Sequence, residues 1–157
     1  MMNFGFTELL LAILAMILVV AAVIDVRTFT ISNRLNLAVA LLAPLYWWSI
    51  ALPLWPGVAL HIAFALGVFL LLSVAFYLGM MGGGDVKLAA ALALWFSPIG
   101  TLRFLIFMSI AGGLLTLVVV AAHRLRSKPG RPEIPYGVAI AIGALAILAQ
   151  RFLNQFA

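Results

Sequence analysis

The sequence predicts an all-α fold, a polytopic bundle of membrane helices, from its composition and from the length of its apolar runs. Of the 157 residues, 67% are hydrophobic and only 8% are charged, and a soluble domain of this size could not bury so much apolar surface. Five apolar runs are long enough to span a bilayer core, namely 6–24, 35–52, 57–78, 102–122 and 137–153. A sixth run, 86–96, is apolar but short. We therefore expect about six transmembrane helices in one integral-membrane domain over residues 1–157.

The positions of the basic residues predict the orientation of these helices. If the N-terminus lies outside, seven of the nine Lys and Arg residues fall on the inner side, and only Arg103 and Arg151 fall outside. The positive-inside rule favours this orientation over its inverse. The inner set includes the four basic residues of one polar loop, Arg124, Arg126, Lys128 and Arg131. We expect this loop to rest on anionic lipid headgroups, and the net charge of +5 then requires no nucleic-acid partner.

Two carboxylates border apolar runs, and the predicted orientation places both at the cytoplasmic ends of their helices. Asp25 follows the first run, and Asp85 precedes the short one, directly after three consecutive glycines. Because a charged group at such a position is costly in lipid, each aspartate is a functional-site hypothesis by default. The structural alternative is that Arg27 or Lys87 serves only as an ion-pair partner for them.

Two carboxyl groups in contact share one proton, so that one can activate water while the other polarises a peptide carbonyl. We expect Asp85 to be mainly the base, at the N-cap of its helix, where backbone amides and the helix dipole favour negative charge. Asp25 lies at a helix C-terminus, where the dipole opposes a carboxylate, and we expect it to be mainly the acid.

The remaining residue types exclude several other chemistries. The chain contains no cysteine, so thiolate metal sites and cysteine nucleophiles are absent. His61 and His123 belong to opposite ends of the predicted bundle, which leaves no shared metal site and no serine triad. We therefore expect neither a metal nor a cofactor. For the glycines, simple close packing is the alternative, because Gly79-x-x-x-Gly83 fits a helix-packing pattern.

Three motifs, in order along the chain, resemble the type IV prepilin peptidases, which are membrane aspartic proteases with a G-x-G-D motif. Here that motif is Gly82-Gly83-Gly84-Asp85, continued by Val86-Lys87. The turn after Asp25 leads to Ile31-Ser32-Asn33, which is similar to the family's Ile-Pro-Asn turn with serine in place of proline. Ile134-Pro135-Tyr136-Gly137 is similar to a late element of the family.

The resemblance implies an endopeptidase that removes the short basic leader of a prepilin, which precedes an apolar helix in that substrate, at the cytoplasmic face of the bacterial inner membrane. Asp25 and Asp85 would be catalytic, with Gly82, Gly84 and Lys87 in support, whereas no substrate-binding residue is identified. The chain looks like the short form associated with Flp or Tad pili, because it lacks the cysteine-bearing segment linked to methyltransferase activity.

Two other functions compete with proteolysis. A small proton-coupled transporter would also use paired acids, but it needs polar groups along a path through the membrane, and the second, third and fifth runs offer almost none at mid-depth. A non-catalytic pilus-assembly scaffold predicts that Asp-to-Asn changes have no effect.

Overall fold

The computed structural model describes residues 4–126 and 132–156, and in these ranges the only regular structure is helical. The predicted all-α bundle is confirmed. Its helices, with the bounds observed, are α1 (Phe4–Thr28), α2 (Asn33–Ser49), α3 (Ala59–Tyr77), α4 (Gly83–Ala93), α5 (Pro98–Leu125) and α6 (Tyr136–Phe156). A short segment, Leu54–Val58, in which the backbone of Trp55 is extended, leads directly into α3.

Four stretches are long and apolar enough to cross a membrane, namely Gly5–Thr28, Leu54–Tyr77, Pro98–Leu125 and Tyr136–Leu153. Their outer faces carry exposed apolar side chains such as Leu70 and Val118, each 66% exposed, as expected for surfaces in contact with lipid. The chain is therefore a multi-pass membrane protein.

The two remaining helices are shorter than these four. The run 35–52 was expected to span, but α2 has 17 residues and ends at Ser49, because the chain turns through Ile50 and through Ala51, whose φ is +52°. The short run was expected at 86–96, but α4 begins three residues earlier, at Gly83. With 11 residues α4 is about 16 Å long, so it cannot span a bilayer core.

Helix α4 lies at the centre of the bundle, where it packs against α2, α3 and α6. Asp85, Val86 and residues 88–93 are all buried, and four of them are alanines, whose small side chains allow neighbouring helices to approach closely. The ends of a buried helix need hydrogen-bond partners, because unpaired backbone groups in an apolar interior are costly.

Two side-chain hydrogen bonds join α2 to the C-terminal end of this central helix. Trp47 Nε1 donates to the carbonyl of Leu94 over 2.7 Å. In the opposite direction, Trp95 Nε1 donates to the carbonyl of Val39 over 3.0 Å. These two hydrogen bonds hold the C-terminal end of α4 against α2.

The termini of the helices are grouped at the two ends of the bundle. One end, which we call the carboxylate end, holds the C-terminus of α1 and the N-termini of α2, α4 and α6, and it contains both Asp25 and Asp85. At the other end, Thr7 Oγ1 donates to Ser49 Oγ over 3.0 Å, and the Arg151 guanidinium donates to the Tyr46 hydroxyl.

Candidate active site

Asp25 lies in the last turn of α1, which continues to Thr28 rather than ending with the apolar run at residue 24. Its side chain is only 1% exposed. The backbone N–H of Gly137 donates to Asp25 Oδ2 over 2.7 Å. This N–H group belongs to the first turn of α6, where the helix itself provides it with no acceptor. Asp25 therefore caps α6 from another helix.

Asp25 lies between two helix ends of opposite partial charge, whereas its position on α1 indicated only the negative one. The carbonyl end of α1 opposes a negative charge, but the positive N-terminal end of α6 faces the same carboxylate and favours it. This second helix end lies 112 positions away in sequence, so the pattern around Asp25 gave no sign of it.

Asp85 was predicted at the N-cap of its helix, and this prediction is wrong. The N-cap is Gly82, since Gly83 and Gly84 already belong to the first turn of α4, and Asp85 is the third residue of the helix. Its Oδ2 accepts a hydrogen bond from the backbone N–H of Gly82 over 3.2 Å. The side chain thus reaches back to the start of its own helix, as the acid of a capping box does.

The other oxygen of this carboxyl group, Asp85 Oδ1, is buried and accepts no hydrogen bond from the residues that the structure describes. Buried oxygens in folded proteins nearly always have a donor, which can be a protein group, a water molecule or a bound partner. Burial, together with the negative charge of nearby Asp25, raises the pKa of Asp85 to about 7. The charge of Asp25 therefore acts on Asp85.

The glycines around the two aspartates are needed for close approach. A Cβ on Gly84 would lie 2.6 Å from the carbonyl oxygen of Ile31, and one on Gly137 would lie 2.7 Å from Ile31 Cδ1. Ile31, in the turn between α1 and α2, therefore fits between the first turns of α4 and α6. A Cβ on Gly82 would lie 2.8 Å from Asp85 Oδ2.

The backbone freedom of glycine is needed at a position outside the G-x-G-D motif. Gly79, two residues after the end of α3, has a φ of +68°, a conformation that other residues rarely adopt. Gly82, in contrast, has a φ of −74°, which any residue can adopt.

Two asparagines of α2 contact the first turns of α4, and sequence reasoning did not identify them as site residues. Asn36 Nδ2 donates to the carbonyl of Gly84 over 2.9 Å, directly before Asp85. Lys87 Nζ donates to Asn33 Oδ1 over 2.9 Å. The available signal was their spacing of three, which puts both amides on one face of an otherwise apolar helix.

The structural alternative for the aspartates, ion pairing with Arg27 or Lys87, gains no support within residues 4–126 and 132–156. Lys87 donates to Asn33 Oδ1 rather than to either aspartate. In the same ranges, no group of three His, Asp or Glu side chains is placed to hold a metal ion. His61 lies near the start of α3 and His123 in the last turn of α5, at opposite ends of the bundle.

The sequence profile of the type IV leader peptidase family matches residues 12–117, a segment that contains both aspartates and all of α4. The chain belongs to the type IV leader peptidase family. This family member is therefore a membrane protease of the leader-peptidase kind, in agreement with the resemblance seen in its motifs. Comparison with curated proteins and with solved structures gave no match. The profile match ends before α6 and therefore does not include Gly137. The contact of Gly137 with Asp25 is supported by the structure and not by the family match.

A cavity of about 490 Å³ opens at the carboxylate end of this leader peptidase. Its lining includes Asp85, Phe29 of the turn between α1 and α2, residues 79–82 before α4, and Glu133 and Tyr136 at the start of α6. The segments that position both aspartates therefore also form its walls. An extended peptide that entered the cavity would lie against Asp85.

Proposed function

We propose that the chain is an aspartic endopeptidase that removes the leader of a type IV prepilin, with Asp25 and Asp85 acting together on a water molecule. The observation that carries the proposal is the convergence of two buried carboxyl groups, from α1 and α4, at one end of the bundle. One of the two has a buried oxygen without a hydrogen-bond donor in the described residues, and it lines a cavity large enough for a peptide.

The contacts of the two aspartates favour a division of roles opposite to the one expected from sequence. Asp25 accepts a hydrogen bond from the positive end of α6, which favours its charged form, whereas burial and the charge of Asp25 raise the pKa of Asp85 to about 7. Asp25 would take a proton from water while the resulting hydroxide attacks the peptide carbonyl carbon. Asp85 would protonate the carbonyl oxygen, which gives a tetrahedral gem-diol. Asp25 would then donate the proton that it took from water to the leaving nitrogen, while one diol hydroxyl returns a proton to Asp85 and the C–N bond breaks.

The distribution of the basic residues supports a cytoplasmic location of the site. Arg124 and Arg126 are exposed at the end of α5, and Lys128 and Arg131 lie outside the described residues. If these residues contact anionic headgroups of the inner leaflet, Asp25 and Asp85 face the cytoplasm. A prepilin leader that carries Lys and Arg would stay on the same side, where Glu133 supplies a negative charge in the cavity.

The test is cleavage of a Flp-type prepilin by the purified protein in detergent, with sequencing of the new N-terminus. Asp25→Asn and Asp85→Asn should each lower the cleavage rate at least about a hundredfold, because an amide can neither accept the proton of water nor supply one. Thermal unfolding of both variants would show that the fold is intact. Near-normal cleavage by either variant would exclude the two-aspartate mechanism and leave the scaffold reading open.

A transporter role has less support from the structure. Both aspartates lie at one end, and the buried side chains of α4 beyond Asp85 are all Val, Leu or Ala. In the part of the chain that the structure describes, α4 thus offers no polar path toward the other end.

A further inference from the structure

A groove runs along the outer surface of the bundle between α2 and α3, with α4 as its floor. Both helices pack against α4 but hardly against each other, which leaves a cavity of about 430 Å³. Each of the three helices contributes residues at positions i, i+3, i+4 and i+7 to the lining, so the groove follows one face of each helix. On α4 these residues are Lys87, Ala90, Ala91 and Leu94.

We infer that this groove seats the apolar helix that follows the leader in the substrate. The inference rests on the proposed function, since it names the place where that substrate binds. The groove starts at Lys87, two residues after Asp85, so a helix lying in it would begin beside the candidate active site.

The polarity of the groove matches such a helix. Its polar side chains are those of Asn33, Asn36 and Lys87, which all lie at the carboxylate end, and the rest of its lining is apolar. Ala90 and Ala91 on the floor are small, so that a helix can approach α4 closely. From Lys87 to Leu94 the rise is about 10 Å, which corresponds to about two turns of an occupant lying parallel to α4.

The amide of Asn36 indicates which kind of occupant fits. Its Nδ2 donates to Gly84, but its Oδ1 is buried and receives no hydrogen bond from the described part of the chain, although the residue is only 6% exposed. The first turn of a helix has backbone N–H groups without partners, whereas a lipid acyl chain has no donor at all. A substrate helix that begins at this end brings donors to the place where Asn36 Oδ1 lacks one.

The first test compares two alanines of α2. Ala40 lines the groove, whereas Ala38 is exposed on another face of the same helix. Ala40→Leu fills part of the groove and should raise the KM for prepilin about tenfold with little change in kcat, while Ala38→Leu should leave both unchanged. Equal KM values for the two variants would refute the groove as the substrate seat.

The second test detects binding without cleavage, in the Asp85→Asn background, and uses the absence of native cysteines. Leu66→Cys in the groove and Leu114→Cys on α5 have similar exposure, 58% and 61% in the native leucines. A bismaleimide should cross-link the first, and not the second, to a prepilin with a cysteine early in its apolar helix. Equal cross-linking at both sites would overturn the inference. It would also be overturned if native mass spectrometry showed a phospholipid in the groove that prepilin does not displace. If the wild-type protein does not cleave prepilin, the proposed function itself fails, and this outcome is separate.

Discussion

The backbone N–H of Gly137 donates a 2.7 Å hydrogen bond to Asp25 Oδ2, which joins the start of the last helix to a carboxylate on the first. This contact requires glycine, because a Cβ at position 137 would lie 2.8 Å from Asp25 Oδ2. The hydrogen bond supplies both an orientation and a positive environment to Asp25, and neither could be provided by α1 alone.

We expect Gly137→Ala to displace the Asp25 carboxyl group and to lower kcat for prepilin cleavage at least about tenfold, since small displacements of catalytic groups are costly. Cleavage kinetics in detergent would measure the effect. Gly113→Ala on α5 is the matched control, because a Cβ there meets nothing within 4 Å. Equal kcat values for the two variants would show that the Gly137 contact does not matter for catalysis.

A second comparison separates two neighbouring glycines of the motif. In Gly84→Ala the new Cβ would lie 2.6 Å from the Ile31 carbonyl oxygen, whereas in Gly83→Ala it would lie 3.3 Å from the Phe76 ring, which can move. Gly84→Ala should therefore shift the first turn of α4 and reduce the cleavage rate about tenfold more than Gly83→Ala does. Cleavage rates of the two variants, measured under the same conditions, would test this expected difference. Similar, mild losses would indicate that α4 tolerates displacement from Ile31.

Asn36 should support the site by fixing the peptide that precedes Asp85. Asn36→Leu leaves the Gly84 carbonyl without its donor, which should lower the free energy of unfolding by about 1–3 kcal/mol and also lower kcat. Asn33→Ala removes a contact with the exposed Lys87 and should cost less than about 1 kcal/mol. Thermal unfolding and cleavage kinetics of both variants provide the comparison. A loss of stability in Asn36→Leu with unchanged kcat would assign this residue a purely structural role.

The pH dependence of cleavage follows from the raised pKa of Asp85. Its pKa is raised to about 7, so the form with one shared proton persists at neutral pH and is lost as the pH rises further. We expect kcat/KM to decline above about pH 7, with a second ionisation limiting the rate on the acid side. Initial rates from about pH 5 to about pH 9, with unfolding followed at each pH, would test this. A rate that stays constant up to the alkaline limit would contradict a proton held on Asp85.

The sequence was sufficient to predict the helices and the position of both aspartates at one end of the bundle, because both leave local signals. Apolar runs set the positions of the helices, and a carboxylate beside such a run is conspicuous. Helix boundaries were less predictable, since α4 begins within the glycine run, where close packing against Ile31 determines the structure. The contacts of Asp25 with Gly137 and of Asn36 with Gly84 could not be predicted, because they join residues 112 and 48 positions apart.

The long sequence separation between Asp25 and Gly137 also has a consequence for biosynthesis. A nascent chain inserted as far as α5 already contains both aspartates, but the N–H group that orients Asp25 has not yet emerged from the ribosome. Proteolytic competence should therefore arise only when the last helix enters the bilayer.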